Sequence, residues 1–240
     1  MTPPVPLRDK VVAEAKGWLR AAAVALGIWL VLRSYIVEAF RIPSPSMENS
    51  LLVGDFLFVD KTGYGGQFQI PFTGIRFLRL PGYASPKRDR IVIFRSVEDS
   101  TPNLDVVKRL IGLPGDTLQM VNDTLIRNGV RLEEPWALYL GEGADPTSPE
   151  VREEMRAHQL PHYVGPDPAS YRPALHTWGP IVVPPDSYWV MGDNRDNSRD
   201  SRFWGFLPRA HVEGRPLTIY MSVATNPFRI RWNRLLKHPR

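Results

Sequence analysis

The sequence predicts a mainly β protein: an antiparallel β-sheet domain preceded by one N-terminal transmembrane helix. Three observations carry that expectation. The 240-residue chain holds 24 prolines and 18 glycines, which interrupt it too often for long helices to dominate. Short apolar or alternating runs bounded by Gly, Pro, Asp and Asn recur from Phe40 onward. One apolar stretch of helical length lies near the start, no second one follows, and the mean hydropathy is −0.24.

The apolar stretch runs from Trp18 to Leu32. Its charge-free part, Ala21 to Leu32, spans roughly 18 Å as a helix against a bilayer core of about 30 Å, and is too short alone. With Arg20 and Arg33 snorkelling toward opposite interfaces, an anchor over residues 16–37 becomes long enough, with Trp18 and Tyr35 at its two ends. A buried core helix is the alternative; a cleavable leader is disfavoured because no small-x-small site follows the run. Arg8, Lys10, Lys16 and Arg20 outnumber Asp9 and Glu14 ahead of it, so residues 1–15 are expected in the cytoplasm and 38–240 outside.

In that outer part, strands are expected at Phe56–Val59, Ile91–Phe94, Asp105–Ile111, Thr117–Val121, Leu125–Arg127, Tyr188–Met191 and Leu217–Met221. Asn128-Gly129 is a strong hairpin signal before Val130–Leu132. Between about 133 and 180 the β pattern lapses into a Pro-, Gly- and acid-rich insertion with a candidate helix at Glu150–His158.

The formal net charge of +5 and pI of about 9.6 invite a nucleic-acid or membrane-surface reading. Position decides between them. Phe228–Arg240 holds Arg229, Arg231, Arg234, Lys237 and Arg240 with no acidic residue, a local +5 that equals the charge of the whole chain. No nucleic-acid footprint remains elsewhere, and the tail, with Phe228, Trp232, Leu235 and Leu236, is expected to touch anionic lipid headgroups.

With no cysteine, thiolate zinc sites, disulfides and thiol catalysis are excluded. No Gly-x-Ser-x-Gly, Ser-x-x-Lys, His-Glu-x-x-His or Walker pattern occurs. His158 and His162 have metal-like spacing, but Pro161 between them opposes a regular helix. No cofactor is expected.

Three segments stand out. In Ile42-Pro-Ser-Pro-Ser-Met-Glu-Asn-Ser-Leu51, Pro45 fixes its own φ and biases Ser44 to an extended conformation, a pre-set loop able to orient a hydroxyl; alone, it also reads as a juxtamembrane linker. In Asp105–Asp116, strand alternation puts Lys108 on one face with Val106 and Leu110, and Val107, Arg109 and Ile111 on the other. A lysine buried among apolar side chains loses its proton more readily and can act as a general base; on an exposed edge it would not. In Met191–Phe206, Asp193, Asp196 and Asp200 intermix with Arg195, Arg199 and Arg202, as in a folded ion-pair network. A calcium loop shares that spacing, but its closing glutamate would fall on Trp204.

In this order, the three segments resemble the bacterial type I signal peptidases, membrane-bound serine proteases with a Ser/Lys dyad. The run Gly-Asp-Asn-Arg-Asp-Asn-Ser-Arg-Asp-Ser-Arg-Phe-Trp-Gly at 192–205 is the most specific part of the match. The resemblance implies Ser46 as nucleophile and Lys108 as general base, with the Ser44 hydroxyl and the Ser46 backbone N–H as the oxyanion hole. It implies that Ser198 orients the lysine amine, that Asp200 and Arg202 form a supporting ion pair, and that Asp193 and Arg109 support them. Ile42, Pro43, Met47, Leu51, Val106 and Val107 match positions lining the pockets for small residues at −1 and −3 of the cleavage site. The implied partners are signal peptides of exported preproteins and membrane lipid; the implied place is the bacterial cytoplasmic membrane, single-pass, with the catalytic domain extracytoplasmic. One departure stands out: where the family usually has Pro-Thr-Leu, this chain has Asn49-Ser-Leu51, so Ser50 keeps a hydroxyl and Asn49 loses the proline constraint. A self-cleaving repressor shares the dyad, but here the apolar helix occupies the place of its DNA-binding domain. A catalytically dead β scaffold would lack nucleophile or base, and both are present.

Overall fold

The computed structural model describes residues 7–239 apart from 71, 72, 74, 103, 140 and 142–146. Residues 1–6 of the expected cytoplasmic segment, 142–146 of the expected insertion and Arg240 of the tail therefore lie outside the described residues. A long helix, α1 (Leu7–Tyr35), leads into strands β1 (Val37–Arg41), β2 (Asp55–Asp60), β3 (Gln67–Gln69), β4 (Arg76–Arg79), β5 (Ile91–Arg95) and β6 (Asp105–Gly112). Then follow β7 (Thr117–Val121), β8 (Thr124–Arg127), β9 (Val130–Arg131), α2 (Pro149–Gln159), β10 (Trp178–Val182) and β11 (Ser187–Met191). The chain closes with α3 (Ser201–Trp204), β12 (Leu207–Pro208), β13 (Val212–Thr225) and β14 (Phe228–Ile230).

All the strand pairs are antiparallel. The main sheet runs β1-β2-β13-β5-β6-β11-β12, with β14 on β13; a second runs β10-β7-β8-β9, and β3-β4 form a separate ribbon. The expected hairpin joins β8 to β9 through Asn128 and Gly129, both at positive φ, as a two-residue turn matched to strand twist requires.

Val11–Tyr35 of α1 is long and apolar enough to cross a membrane by length and composition, and its apolar window is not buried; Ser34 near its end is. The apolar segment was expected to reach Val37; the helix stops at Tyr35 because Val37 already pairs with Asp60. Arg33 reaches Glu38, which also holds Lys61 at 2.6 Å, so the helix end is tied to the sheet. Tyr35 packs against Phe68 of the ribbon.

Two differences from the expected elements have clear causes. Proline before Leu217 suggested a strand starting there, but β13 extends from Val212 to Thr225 with Pro216 at a register shift, where the ladder needs no donor. The expected insertion was bounded at 180, yet Trp178–Val182 forms β10, pairs with β7 and buries Trp178 against Trp189. Composition rich in Pro and Gly hid that strand. Within the same segment α2 begins where Ser148 caps the Val151 N–H and Pro149 sets the first turn, and it ends before Pro161. His162 turns its ring onto Phe206.

Two tail arginines do not face solvent. Arg234 makes a forked contact with Asp55 at 2.6–3.1 Å, and Arg231 stands 3.9 Å from the same carboxylate, which is fully buried and also bonded to Ser222 Oγ and Leu52 N. Phe228, Trp232 and Leu236 remain exposed. Removing one partner of a buried ion pair leaves the other charge under-compensated, so Arg234→Ala is expected to cost about 2–3 kcal/mol, with Arg231 and Ser222 covering part of the loss. A thermal melt should read this as a fall of about 5–10 °C.

Candidate active site

The segment after β1 is fixed at both ends before any chemistry is considered. Ile42 N–H donates to Asp55 and Gly54 N–H donates to Ile42 across the loop. Ser44 is extended (φ −127°, ψ 156°), as the proline after it dictates, and Pro45–Met47 makes a single 3-10 turn. Met47 and Leu51 are buried with Ile42, Leu57, Ile91 and Val107, so the apolar side chains on either side of Ser46 lock its backbone into the core. Ser46 lies at the second position of that turn, where a backbone N–H has no intrahelical acceptor. The Ser44 and Ser46 hydroxyls are 3.3 Å apart.

Lys108 comes from the middle of β6, opposite Val92 of β5. Val106 and Leu110 pack with Val92 and Phe94, whereas Val107 packs with Ile42 and Met47, as strand alternation predicts. The lysine side chain is buried, and its Nζ donates to Ser46 Oγ at 2.7 Å. Sixty-two residues separate the two in sequence.

The third segment follows β11, whose pairing with β6 sets Met191 opposite Arg109. Gly192 N–H donates to Asp200 Oδ2, and Asn194 N–H donates to the Ser46 carbonyl at 3.1 Å. Asp200 caps α3 and receives Arg202 through two bonds of 2.9 and 3.0 Å, both residues fully buried. Arg109 grips Asp193 with two bonds of 2.7 Å and also donates to Ser50 Oγ. The expected network is only partly internal to this loop: Arg195 pairs with Glu134, and Arg199 pairs with Glu98 and Glu154. Ser198 Oγ, expected to orient the lysine amine, is buried with no hydrogen-bond partner among the described residues; it stands against Gly192 instead.

These pairings bear on how readily the lysine gives up its proton. The three carboxylates that influence Lys108 are each engaged by an arginine, Asp200 by Arg202, Asp193 by Arg109 and Glu98 by Arg199, so among the described residues the amine meets a neutral hydroxyl and no carboxylate. Burial is the largest influence and lowers its pKa to about 8; Asp200 pulls up and Arg202 down. Burial alone would raise Asp200, but Arg202 and the Gly192 N–H outweigh it and hold the carboxyl below its usual range. An amine with such a pKa is partly neutral near pH 7 and can accept the proton of the hydroxyl it touches.

A groove of about 130 Å³ opens beside the pair, lined by Ile42, Pro43, Ser44, Ser46, Met47, Val106, Val107 and Lys108. Leu51 is fully buried below it and does not line it, whereas Phe40, Leu104 and Asp105 line it without having been anticipated. Sequence reasoning also missed Glu134, Trp136 and Tyr139, because a single acid or aromatic in a Pro- and Gly-rich stretch has no distinguishing pattern. Tyr139 and Glu134 both accept from Arg195, and Trp136 lies flat under Arg109, with the guanidinium carbon 4.4 Å from the ring centre.

The chain is similar to known proteins. A family model described as signal peptidase, peptidase S26, matches residues 15–221. The chain is 35% identical over 211 residues to signal peptidase I of Pseudomonas fluorescens, covering 82% of this chain and 69% of that one. It is 36% identical over 199 residues to signal peptidase I of Bacillus licheniformis, covering 82% and 83%. A solved signal peptidase I from Enterococcus faecalis is 33% identical and overlaps 55% of this chain and 96% of its own at a TM-score of 0.35. By class the protein is a serine peptidase. The chain belongs to the signal peptidase family S26.

Gly192 supplies a test of the site's packing. A Cβ there would lie 2.2 Å from Ser198 Oγ and 2.5 Å from the Ser46 carbonyl, closer than real contacts allow. Gly192→Ala is therefore expected to push the Ser46 loop away from Lys108 and lower kcat at least about a hundredfold, as misplacement near 1 Å does; an unchanged kcat in a peptide-cleavage assay would show that the loop yields freely.

Proposed function

We propose that this protein is a membrane-anchored endopeptidase that removes N-terminal signal peptides from exported preproteins, with Ser46 as nucleophile and Lys108 as general base. The observation that carries the reading is the 2.7 Å contact between a buried amine and a serine hydroxyl at the end of an apolar groove. Neutral Lys108 takes the Ser46 proton as Oγ attacks the scissile carbonyl carbon. The resulting oxyanion faces the Ser46 N–H and the Ser44 hydroxyl. On collapse, the departing amine takes the proton from the Lys108 ammonium and leaves an ester on Ser46. Water then attacks the ester and gives a proton to Lys108; as the acid is released, the departing Ser46 Oγ takes that proton back, which restores the hydroxyl and the neutral amine.

The groove supports cleavage after small-x-small sites. Ile42, Pro43, Met47, Val106 and Val107 give it apolar walls, and its small volume favours short side chains over long ones. The α1 helix serves as the single anchor, with the N-terminus cytoplasmic and the β domain outside, where exported preproteins emerge. Arg109, Asp193, Asp200 and Arg202 act as positioning residues: they hold the loops and keep carboxylates away from the amine.

Ser46→Ala and Lys108→Met are each expected to abolish cleavage of a preprotein with a small-x-small site while membrane insertion and folding persist. Sequencing the new N-terminus checks the position of the cut; cleavage retained by either variant would falsify the dyad. The pH dependence has a definite sign. Activity needs the neutral amine, and that fraction grows as pH rises through a pKa of about 8. Thus kcat/KM should rise about tenfold per pH unit well below that value and level above it, because it reports the free enzyme's base. A profile flat from pH 6 to 9, with chemistry rate-limiting, would contradict Lys108 as that base.

A further inference from the structure

Residue 49 lies in the loop that carries Ser46, and its geometry excludes proline. Asn49 has φ +90°, a left-handed conformation in which proline cannot exist and which asparagine tolerates better than most residues. Its side chain reaches across 86 and 87 residues of sequence: Nδ2 donates to the Trp136 carbonyl at 2.9 Å and to the Pro135 carbonyl at 3.3 Å.

Those two carbonyls belong to a segment that grips the other loop as well. Glu134 pairs with Arg195 at 2.6 Å, and Leu138 N–H donates to Asp193 while Arg195 N–H donates to Leu138. Trp136 covers the guanidinium of Arg109, which holds Asp193 and Ser50. Asn194, between Asp193 and Arg195, donates to the Ser46 carbonyl. The contacts therefore close a ring: nucleophile loop, residues 134–139, the Asp193–Arg195 turn, and back to Ser46. Asn49 supplies the direct link from the nucleophile loop to residues 134–139.

We propose that residues 134–139, the start of the inserted stretch, form a strap that positions the nucleophile, and that Asn49 is the positioning residue fastening it. The strap touches neither the groove nor Lys108 Nζ, so its loss moves Ser46 relative to the amine without removing substrate contacts. This rests on Ser46 being the nucleophile, which the Ser46→Ala experiment tests separately.

The test uses the full-length protein in detergent micelles with a signal-peptide substrate. Asn49→Gly keeps the left-handed backbone and deletes the tether; Asn49→Asp keeps size and backbone tolerance but sets a carboxylate oxygen against two carbonyls. Both are expected to lower kcat about tenfold or more with KM and the pH midpoint unchanged, because a reacting pair is misaligned while binding and the lysine's surroundings persist. Amide hydrogen exchange should rise in both 44–51 and 133–139. Asn49→Pro should fall further, since its φ is fixed near −65°. Full kcat in Asn49→Gly, unchanged exchange in both segments, or wild-type activity in Asn49→Pro would each overturn the strap. A parallel loss of kcat, KM and melting temperature would reduce Asn49 to a folding role and overturn it as well. Cleavage surviving in Ser46→Ala would instead indict the nucleophile assignment.

Discussion

A buried ammonium without a carboxylate in contact is costly, and the rest of the structure is arranged around that cost. Lys108 is shielded on β6 and meets only the hydroxyl of Ser46 through its donor. Three carboxylates, Asp200, Asp193 and Glu98, lie close enough to influence it, and each favours the protonated amine. Each is paired instead with an arginine: Asp193 with Arg109 and Asp200 with Arg202 through forked bonds of 3.0 Å or less, and Glu98 with Arg199. A forked guanidinium satisfies both carboxylate oxygens at once, which a lysine could not do. In the proposed mechanism the arginines thus serve Lys108 by occupying the carboxylates around it.

Topology supplies the meeting of residues distant in sequence. Antiparallel pairing of β6 with β5 and β11 puts Lys108 between two neighbours, and the register with β11 delivers Gly192 to the Ser46 loop. Only glycine fits at that approach, where the Ser46 carbonyl and Ser198 crowd the position a Cβ would take. Backbone contact there, through the Asn194 N–H, fixes the nucleophile by its own carbonyl and leaves its hydroxyl for the amine.

Legibility in the sequence followed the range of the physics. Strand alternation is local, so the faces of Val106, Lys108 and Leu110 could be read directly, as could the extended Ser44 before a proline and the positive-φ pair Asn128-Gly129. Pairing partners are not local. The intermixed charges at 193–202 suggested a network closed on itself, whereas Arg195 and Arg199 find Glu134, Glu98 and Glu154 far along the chain. Asn49 looked like a lost constraint because a missing proline is visible in sequence and a tether to residues 135 and 136 is not. Pro216 and the Trp178–Val182 strand failed for a related reason: punctuating residues are tolerated inside strands where the register shifts, and register is a property of the sheet.

The position of the site relative to the helix carries a further constraint. Ser46 follows Tyr35 by only 46 − 35 = 11 residues, so even a fully extended chain could carry it no more than about 40 Å from the helix end. The path is shorter than that limit, because β1 is bound into the sheet and the helix end is tied down by Arg33, Glu38 and Lys61. With α1 in the bilayer, as proposed, the hydroxyl–amine pair stays within a strand's length or two of the membrane surface. On the proposed reading, a signal peptide held in the same bilayer would present its cleavage site at that level. The proposed anchor would then confine enzyme and substrate to one plane, raising their effective concentration and leaving the small groove to choose among extended segments by side-chain size.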